Sequence, residues 1–362
     1  MLSKIKEVLL KGLKSIAYPI CAILVAILVS VFFVMWAKDY SIFQYFSALS
    51  DLFRVVWKGS FGSQRQAFTT LEYVTPLIFT GLANAIAFRS GLFNIGVEGQ
   101  FMMGMLAASI IGVIPGLNIF IHIPLMIICG MLAGGVWGAI PGFFKAKLGT
   151  NEVINSIMMN YIALNIINLL ILRTAIGESG KAATPIIQGS AMLLRFNNLS
   201  RANIGILIGI VFAILVYWFL WKTTIGYEIR AVGLNPHGAE YGGISIAKNT
   251  ILAMGISGAI AGIGGAIHVS GILHQVQNFN DLPGYGFDGI AVALLAKSNP
   301  IGCIFAAILF GTLNSSSKIL QLNDIPKQIV YLIQAVIIIF IATDYIVKYF
   351  KENKKKKVII NG

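Results

Sequence analysis

The sequence predicts an all-α fold, a polytopic transmembrane helical bundle of about ten helices. Three observations carry this. Of the 362 residues, 57% are hydrophobic and only 11% charged, whereas a soluble domain carries about 25% charged residues to coat its surface. Apolar runs such as 16–36, 204–221 and 328–347 approach or reach the ~20 residues that cross a hydrocarbon core. A segment in that core must satisfy its own backbone hydrogen bonds, which makes these runs helices, and the two-residue alternation of a membrane barrel is absent.

Taken in order, Lys4, Lys6, Lys11 and Lys14 precede the first run. That run is longer than a signal-peptide core and no small-residue cleavage site follows it, so residues 1–15 read as a basic N-terminus before a retained helix, 16–36. Further segments follow at 67–88, 95–114, 123–144, 152–172, 204–221, 249–268, 287–297, 300–317 and 328–347. The longest polar stretches, 37–66, 173–203 and 222–248, are too short for a soluble domain, so 16–347 reads as one transmembrane domain. Residues 348–362 form a Lys-rich tail.

With the N-terminus inside, seventeen of the 27 Lys and Arg residues fall in inner loops and tails. That is the positive-inside bias, and it places both termini in the cytoplasm. The net charge of +13 and the cluster Lys354–Lys357 therefore point to anionic lipid rather than to nucleic acid. Cys21, Cys129 and Cys303 stand singly, and His122, His237, His268 and His274 lack metal-ligand spacing, so no metal site is expected.

Small residues four apart predict close helix contacts. They are Gly130, Gly134, Gly138 and Gly142; Gly104, Ala108, Gly112 and Gly116; and Gly258, Gly262 and Ala266. Two glycine-rich stretches break the pattern at membrane depth: Ser90–Gln100 and Leu282–Gly289, the latter leading into a segment of about eleven residues. Helices two and seven, which precede them, run in opposite directions on the charge count. Broken or re-entrant helices in corresponding halves suggest an inverted repeat around a transport site.

Glu98 and Asp288 sit on the two breaks, close in sequence to Asn84, Phe93, Asn94, Gln100, Tyr285 and Phe287. An acid at membrane depth marks a functional site by default. Amides and carboxylates suit hydroxyls and ring nitrogens, and aromatic faces suit a flat ring, a combination fitting a nucleoside or a sugar. The other reading is that the two acids cap broken helix ends. In the inner loop 226–244, Glu228, Arg230, Gly233, Asn235, Pro236, Glu240 and Tyr241 surround a turn and a short helix expected over His237–Tyr241, suited to docking on a partner. Gly177–Ala182 misses the phosphate-loop pattern because Ala175 and Ala182 stand where Gly and Ser/Thr are needed. The chain is therefore expected not to be an ATPase itself.

Gly91-Leu-Phe-Asn-Ile-Gly-Val-Glu-Gly-Gln-Phe101 resembles the signature of bacterial nucleoside permeases of the ABC superfamily, within the branched-chain amino acid/ribose type. Leu148–Ser156, Ala231–Pro236 running to Glu240–Ile244, and Gly286–Leu295 are similar to the same family, and the likeness covers about residues 67–345. It implies an importer permease working by alternating access in the bacterial cytoplasmic membrane. Its implied partners are a second permease in a heterodimer, ATP-binding cassette ATPases that hold ATP and Mg, and an extracytoplasmic solute-binding lipoprotein. It also implies that 226–244 is the coupling loop and that 91–101 and 284–289 line the translocation path. Related permeases carry ribose, galactose or amino acids. An ion-coupled secondary transporter could also use broken helices, whereas a membrane enzyme would need a clustered nucleophile or His/Asp/Glu motif that the sequence lacks.

Overall fold

A computed structural model describes residues 24–340. The basic N-terminus 1–15, Cys21, the start of the first segment, the end of the last one and the tail 348–362 lie outside the described residues. Those described form thirteen α-helices: α1 Leu24–Ala37, α2 Tyr45–Ser60, α3 Gln64–Arg89, α4 Val97–Gly112, α5 Ile119–Leu148, α6 Glu152–Arg173, α7 Gly205–Lys222, α8 Thr224–Leu234, α9 Pro236–Tyr241, α10 Ile246–His268, α11 Tyr285–Leu295, α12 Pro300–Leu322 and α13 Gln328–Phe340. Among them α3, α5, α6, α7, α10 with its extension, and α12 are long and apolar enough to cross a membrane. The chain is a multi-pass membrane protein.

The contacts divide it into two compact units. Residues 63–312 form the larger one. Its centre is α3 and α10, the two most buried of the long helices, with α4, α5, α7 and α11 packed around them. The glycine stripes explain how backbones come this close. A Cβ on Gly258 would collide with the carbonyl of Gly134, and one on Gly262 with the carbonyl of Gly130, while one on Gly104 of α4 would collide with the carbonyl of Gly262. Gly116 does not join its stripe: it follows the end of α4 at φ +82, with nothing within 4 Å of a built Cβ. Its left-handed conformation belongs to a turn, where glycine is favoured for backbone reasons.

Among the described residues, the smaller unit comprises 24–62 and 313–340. In it the Tyr45 hydroxyl donates to the Leu28 carbonyl at 2.9 Å, Ser315 Oγ to the Gly59 carbonyl at 3.3 Å, and Gln334 Nε2 to Asn314 Oδ1 at 2.9 Å. Helix α2 lies in the stretch 37–66 expected to be merely polar. Ala48, Leu52 and Val55 face inward while Phe46, Phe53 and Trp57 stay exposed. Its apolar residues recur at helical spacing among polar ones, so it forms an amphipathic helix that average polarity conceals.

Both breaks consist of a long helix followed by a short one. Helix α4 has 16 residues and α11 has 11, which at 1.5 Å per residue gives about 24 and 16 Å, short of the ~30 Å core. Each short helix opens on the same pattern, Gly96-Val-Glu98-Gly and Gly286-Phe-Asp288-Gly. Helix α10 continues into a π-turn, Val269–Leu273, before the second break.

Candidate functional site

A helix that starts inside a protein exposes N–H groups without intrahelical partners, and each must find an acceptor. The fold meets this demand at both short helices with side chains from other elements. At α11, the Glu98 carboxylate accepts from Gly284 N at 2.7 Å and also from Gly286 N. Glu98 is wholly buried and lies in the first turn of α4, so the two helix N-termini meet through it. Negative charge here is further favoured by the helix dipole of α11.

At α4 the cap is Asn160, in the middle of α6. Its Oδ1 accepts from Gly99 N at 2.8 Å and its Nδ2 donates to the Ile95 carbonyl at 3.0 Å. Asn94 Oδ1 accepts from Gly96 N at 3.0 Å, and the Asn94 amide pairs with Gln100 at 3.0 and 3.1 Å. Asn94 also donates to Ser257 Oγ at 2.9 Å, whose hydroxyl donates to the Ala83 carbonyl at 2.7 Å. The first break is thus tied to α3, α6 and α10 at once.

The structure sorts the sequence-predicted residues into groups. Asn84, Glu98 and Tyr285 converge on the first turn of α11. Asn84 Nδ2 donates to the Thr80 carbonyl at 2.9 Å and, more weakly, to the Gly286 carbonyl at 3.4 Å. The Tyr285 ring packs against His268 at 4.9 Å and Phe101 at 5.6 Å between centroids. Asn94 and Gln100 form the separate network of the first break. Phe93 stacks on Phe88 at 5.2 Å and, like Phe287, is more than a third exposed. Asp288 is partly exposed in the first turn of α11.

Asn160, Ser257, Phe101 and His268 join the site without having stood out in the sequence. Asn160 carries a signal, an amide in the middle of an apolar segment. His268, read only against metal-ligand spacing, carries none. Among the described residues no group of three or more His, Cys, Asp or Glu could hold a metal.

The second candidate region is built by α8 and α9. Thr223 Oγ1 caps α8 at Gly226 N, 3.1 Å, and Asn235 Oδ1 caps α9 at Gly238 N, 3.1 Å, with Pro236 at the first helical position. The short helix expected at 237–241 is present, and the segment before it is helical as well. Asn235, Pro236, Glu240 and Tyr241 are exposed, whereas Glu228, Arg230 and Gly233 are partly buried. Glu228 accepts from Asn249 Nδ2 at 3.0 Å, and Arg230 Nε donates to the Leu220 carbonyl at 2.8 Å. A groove of about 480 Å³ runs between the two helices, lined by Tyr227, Glu228, Leu234, Asn235 and Gly238 among others.

Gly233 joins this region to the first break. A Cβ there would collide with the Arg89 carbonyl, and Gly91, at φ +75, lies 3.3 Å from Gly233 by the same measure. Arg89 itself donates to the carbonyls of Ser298 and Lys297 at 3.0 and 3.2 Å and, like Arg230, stacks on Trp221. The backbone of α8 therefore rests directly on the end of α3 where the break begins.

The family model described as branched-chain amino acid transport system / permease component matches residues 66–342. The chain is 37% identical over 353 residues to the guanosine ABC transporter permease protein NupP of Bacillus subtilis (strain 168), covering 96% of this chain and 99% of that one. It is 36% identical over 297 residues to the nucleoside ABC transporter permease protein NupB of Lactococcus lactis subsp. cremoris (strain MG1363), covering 79% and 82%. It is 29% identical over 279 residues to the guanosine ABC transporter permease protein NupQ of the same Bacillus strain, covering 74% and 86%. No solved structure matches.

Proposed function

This chain belongs to the branched-chain amino acid transport system permease family, and from that premise we propose that it is the membrane subunit of an ATP-driven importer of nucleosides. The observation that carries the substrate class is the similarity to nucleoside permeases, over 96% of the chain for NupP and 79% for NupB. Resemblance to both NupP and NupQ of one organism supports pairing with a second, non-identical permease. An ATP-binding cassette ATPase docks on the exposed side of α8 and α9 and carries the ATP and Mg, and a solute-binding lipoprotein delivers the nucleoside from outside. Both termini lie in the cytoplasm.

The mechanism follows from the contacts. ATP binding on the partner moves α8 and α9. Because Gly233 lies against Arg89 and Gly91, that movement reaches the break at residues 90–96 and so the first turn of α4. Glu98 transmits it to the N-terminus of α11, and the two short helices open and close the path. Two rigid helix ends joined through a single carboxylate have few alternative arrangements, which is what a gate requires.

The test is uptake of labelled guanosine into cells carrying the complete transporter. The expected result is uptake that persists when a protonophore collapses the proton gradient with ATP maintained, and that stops when ATP is depleted. Uptake that follows the proton gradient instead would replace this reading with ion-coupled transport.

A further inference from the structure

Two polar atoms beside the first turn of α11 are buried without a partner among the described residues: Asn84 Oδ1 and His268 Nδ1. Asn84 is fully buried and His268 is 5% exposed. A buried polar atom without a hydrogen bond is destabilising, and native proteins retain few of them. Both residues flank the same turn: Asn84 reaches the Gly286 carbonyl at 3.4 Å, and the His268 ring meets the adjacent Tyr285 edge-on at 4.9 Å. Phe101 completes a three-ring cluster, 5.6 Å from each of the other two.

We propose that these residues form a subsite for the flat heterocyclic base of the transported solute, a site that rests on the nucleoside-permease reading above. Asn84 Oδ1 accepts a hydrogen bond from a base N–H. His268 Nδ1 pairs with the neighbouring edge position, donating or accepting according to its tautomer. Tyr285 and Phe101 supply stacking faces. The Glu98 carboxylate is already committed to two backbone N–H groups, so the site offers rings and neutral edge partners rather than charge. That chemistry suits a base with an N–H edge, such as a purine, better than a ribose, which has no π face. Entry requires the first turn of α11 to move aside. Its side-chain ties are the long one to Asn84 and the Glu98 carboxylate, which moves with α4 in the mechanism above, and Gly284 at its start stands at φ +92, a conformation open to glycine.

The experiment uses the complete transporter in membrane vesicles and an azido-guanosine photoprobe. Label is expected on peptides containing Asn84, His268 or Tyr285, displaced by guanosine and not by ribose. His268→Phe keeps the ring and removes its nitrogens. It should lower the maximal rate for guanosine by about tenfold, the effect of one hydrogen bond, with the protein still inserted and the ATPase still copurified. His268→Asn, which restores a polar group near the Nδ1 position, should recover most of the loss. An unchanged guanosine rate in His268→Phe, no recovery in His268→Asn, or label confined to other helices would overturn the subsite while leaving nucleoside import standing. Failure of the wild-type transporter to carry any nucleoside would overturn both.

Discussion

Glu98 concentrates the demands on a single side chain. Its two oxygens serve two N–H groups of α11, and a carboxamide has only one acceptor. Glu98→Gln therefore leaves one buried donor facing an NH2 group. An unsatisfied buried donor costs about 1–3 kcal/mol, so the variant should insert but melt at lower temperature in detergent, and its uptake should fall at least tenfold. An unchanged melting temperature would remove the cap from the account of stability. A second residue-scale test concerns His274, just past the π-turn of α10. Its Nε2 lies 2.8 Å from the Arg195 guanidinium, which donates and so requires an unprotonated nitrogen. Burial first, and then the charges of Arg195 and Arg201, hold its pKa below the ordinary imidazole value. The folded state thus binds fewer protons than the unfolded chain. This contribution to stability is present above the unfolded pKa of about 6.5 and is lost as pH falls through the lower folded value. The loop pairing around it, with Ile187 N donating to the His274 carbonyl at 2.9 Å and Thr184 N to the Val276 carbonyl at 2.8 Å, should exchange its amide hydrogens faster at low pH. His274→Gln should flatten that dependence.

At the scale of elements, the glycines of α5 and α10 are not interchangeable. Gly258 touches the Gly134 carbonyl, so even one methyl group forces the helices apart. Gly255, one turn earlier, has its nearest neighbours at 3.6 and 3.7 Å from a built Cβ, an ordinary contact distance. Gly258→Ala should destabilise by about 1–3 kcal/mol through overpacking, and Gly255→Ala should stabilise by up to about 1 kcal/mol through helix propensity. Melting temperatures of opposite sign relative to wild type check this pair. The stripes themselves were legible in the sequence, because four-residue spacing of small side chains translates directly into one helix face. The breaks were legible for a related reason: glycines interrupt an apolar helix, and an acid at lipid depth must face protein or water. Helix α2 was not: its apolar face is diluted by polar residues, and average polarity hides periodicity. The roles of the acids were also out of reach. Spacing left open whether Glu98 touches solute or caps a helix, because its partners Gly284 and Gly286 lie 186 and 188 residues away, and only the folded chain brings them together.

For the whole molecule, docking on the ATPase and transmission of its movement should be separable. Tyr241 is 97% exposed and Leu234 86%, at the outer edge of α8 and α9, where a partner surface would bury them. Gly233, by contrast, has its backbone against the end of α3. Replacing Tyr241 by Ala should weaken copurification of the ATPase, and uptake should fall in proportion. Glu240→Lys, which reverses a charge in the same exposed turn, should act in the same way. Gly233→Val leaves that exposed edge unaltered but inserts a branched side chain where the Arg89 carbonyl lies, pushing α8 off the start of the break. The ATPase should still copurify and hydrolyse ATP, while uptake falls at least tenfold. The decisive quantity is the ratio of solute carried to ATP hydrolysed, which should collapse in Gly233→Val and stay near wild type in the Tyr241→Ala complexes that still assemble. Equal loss of binding and uptake in both variants would mean that α8 and α9 only hold the partner, and that the force reaches the short helices by another route.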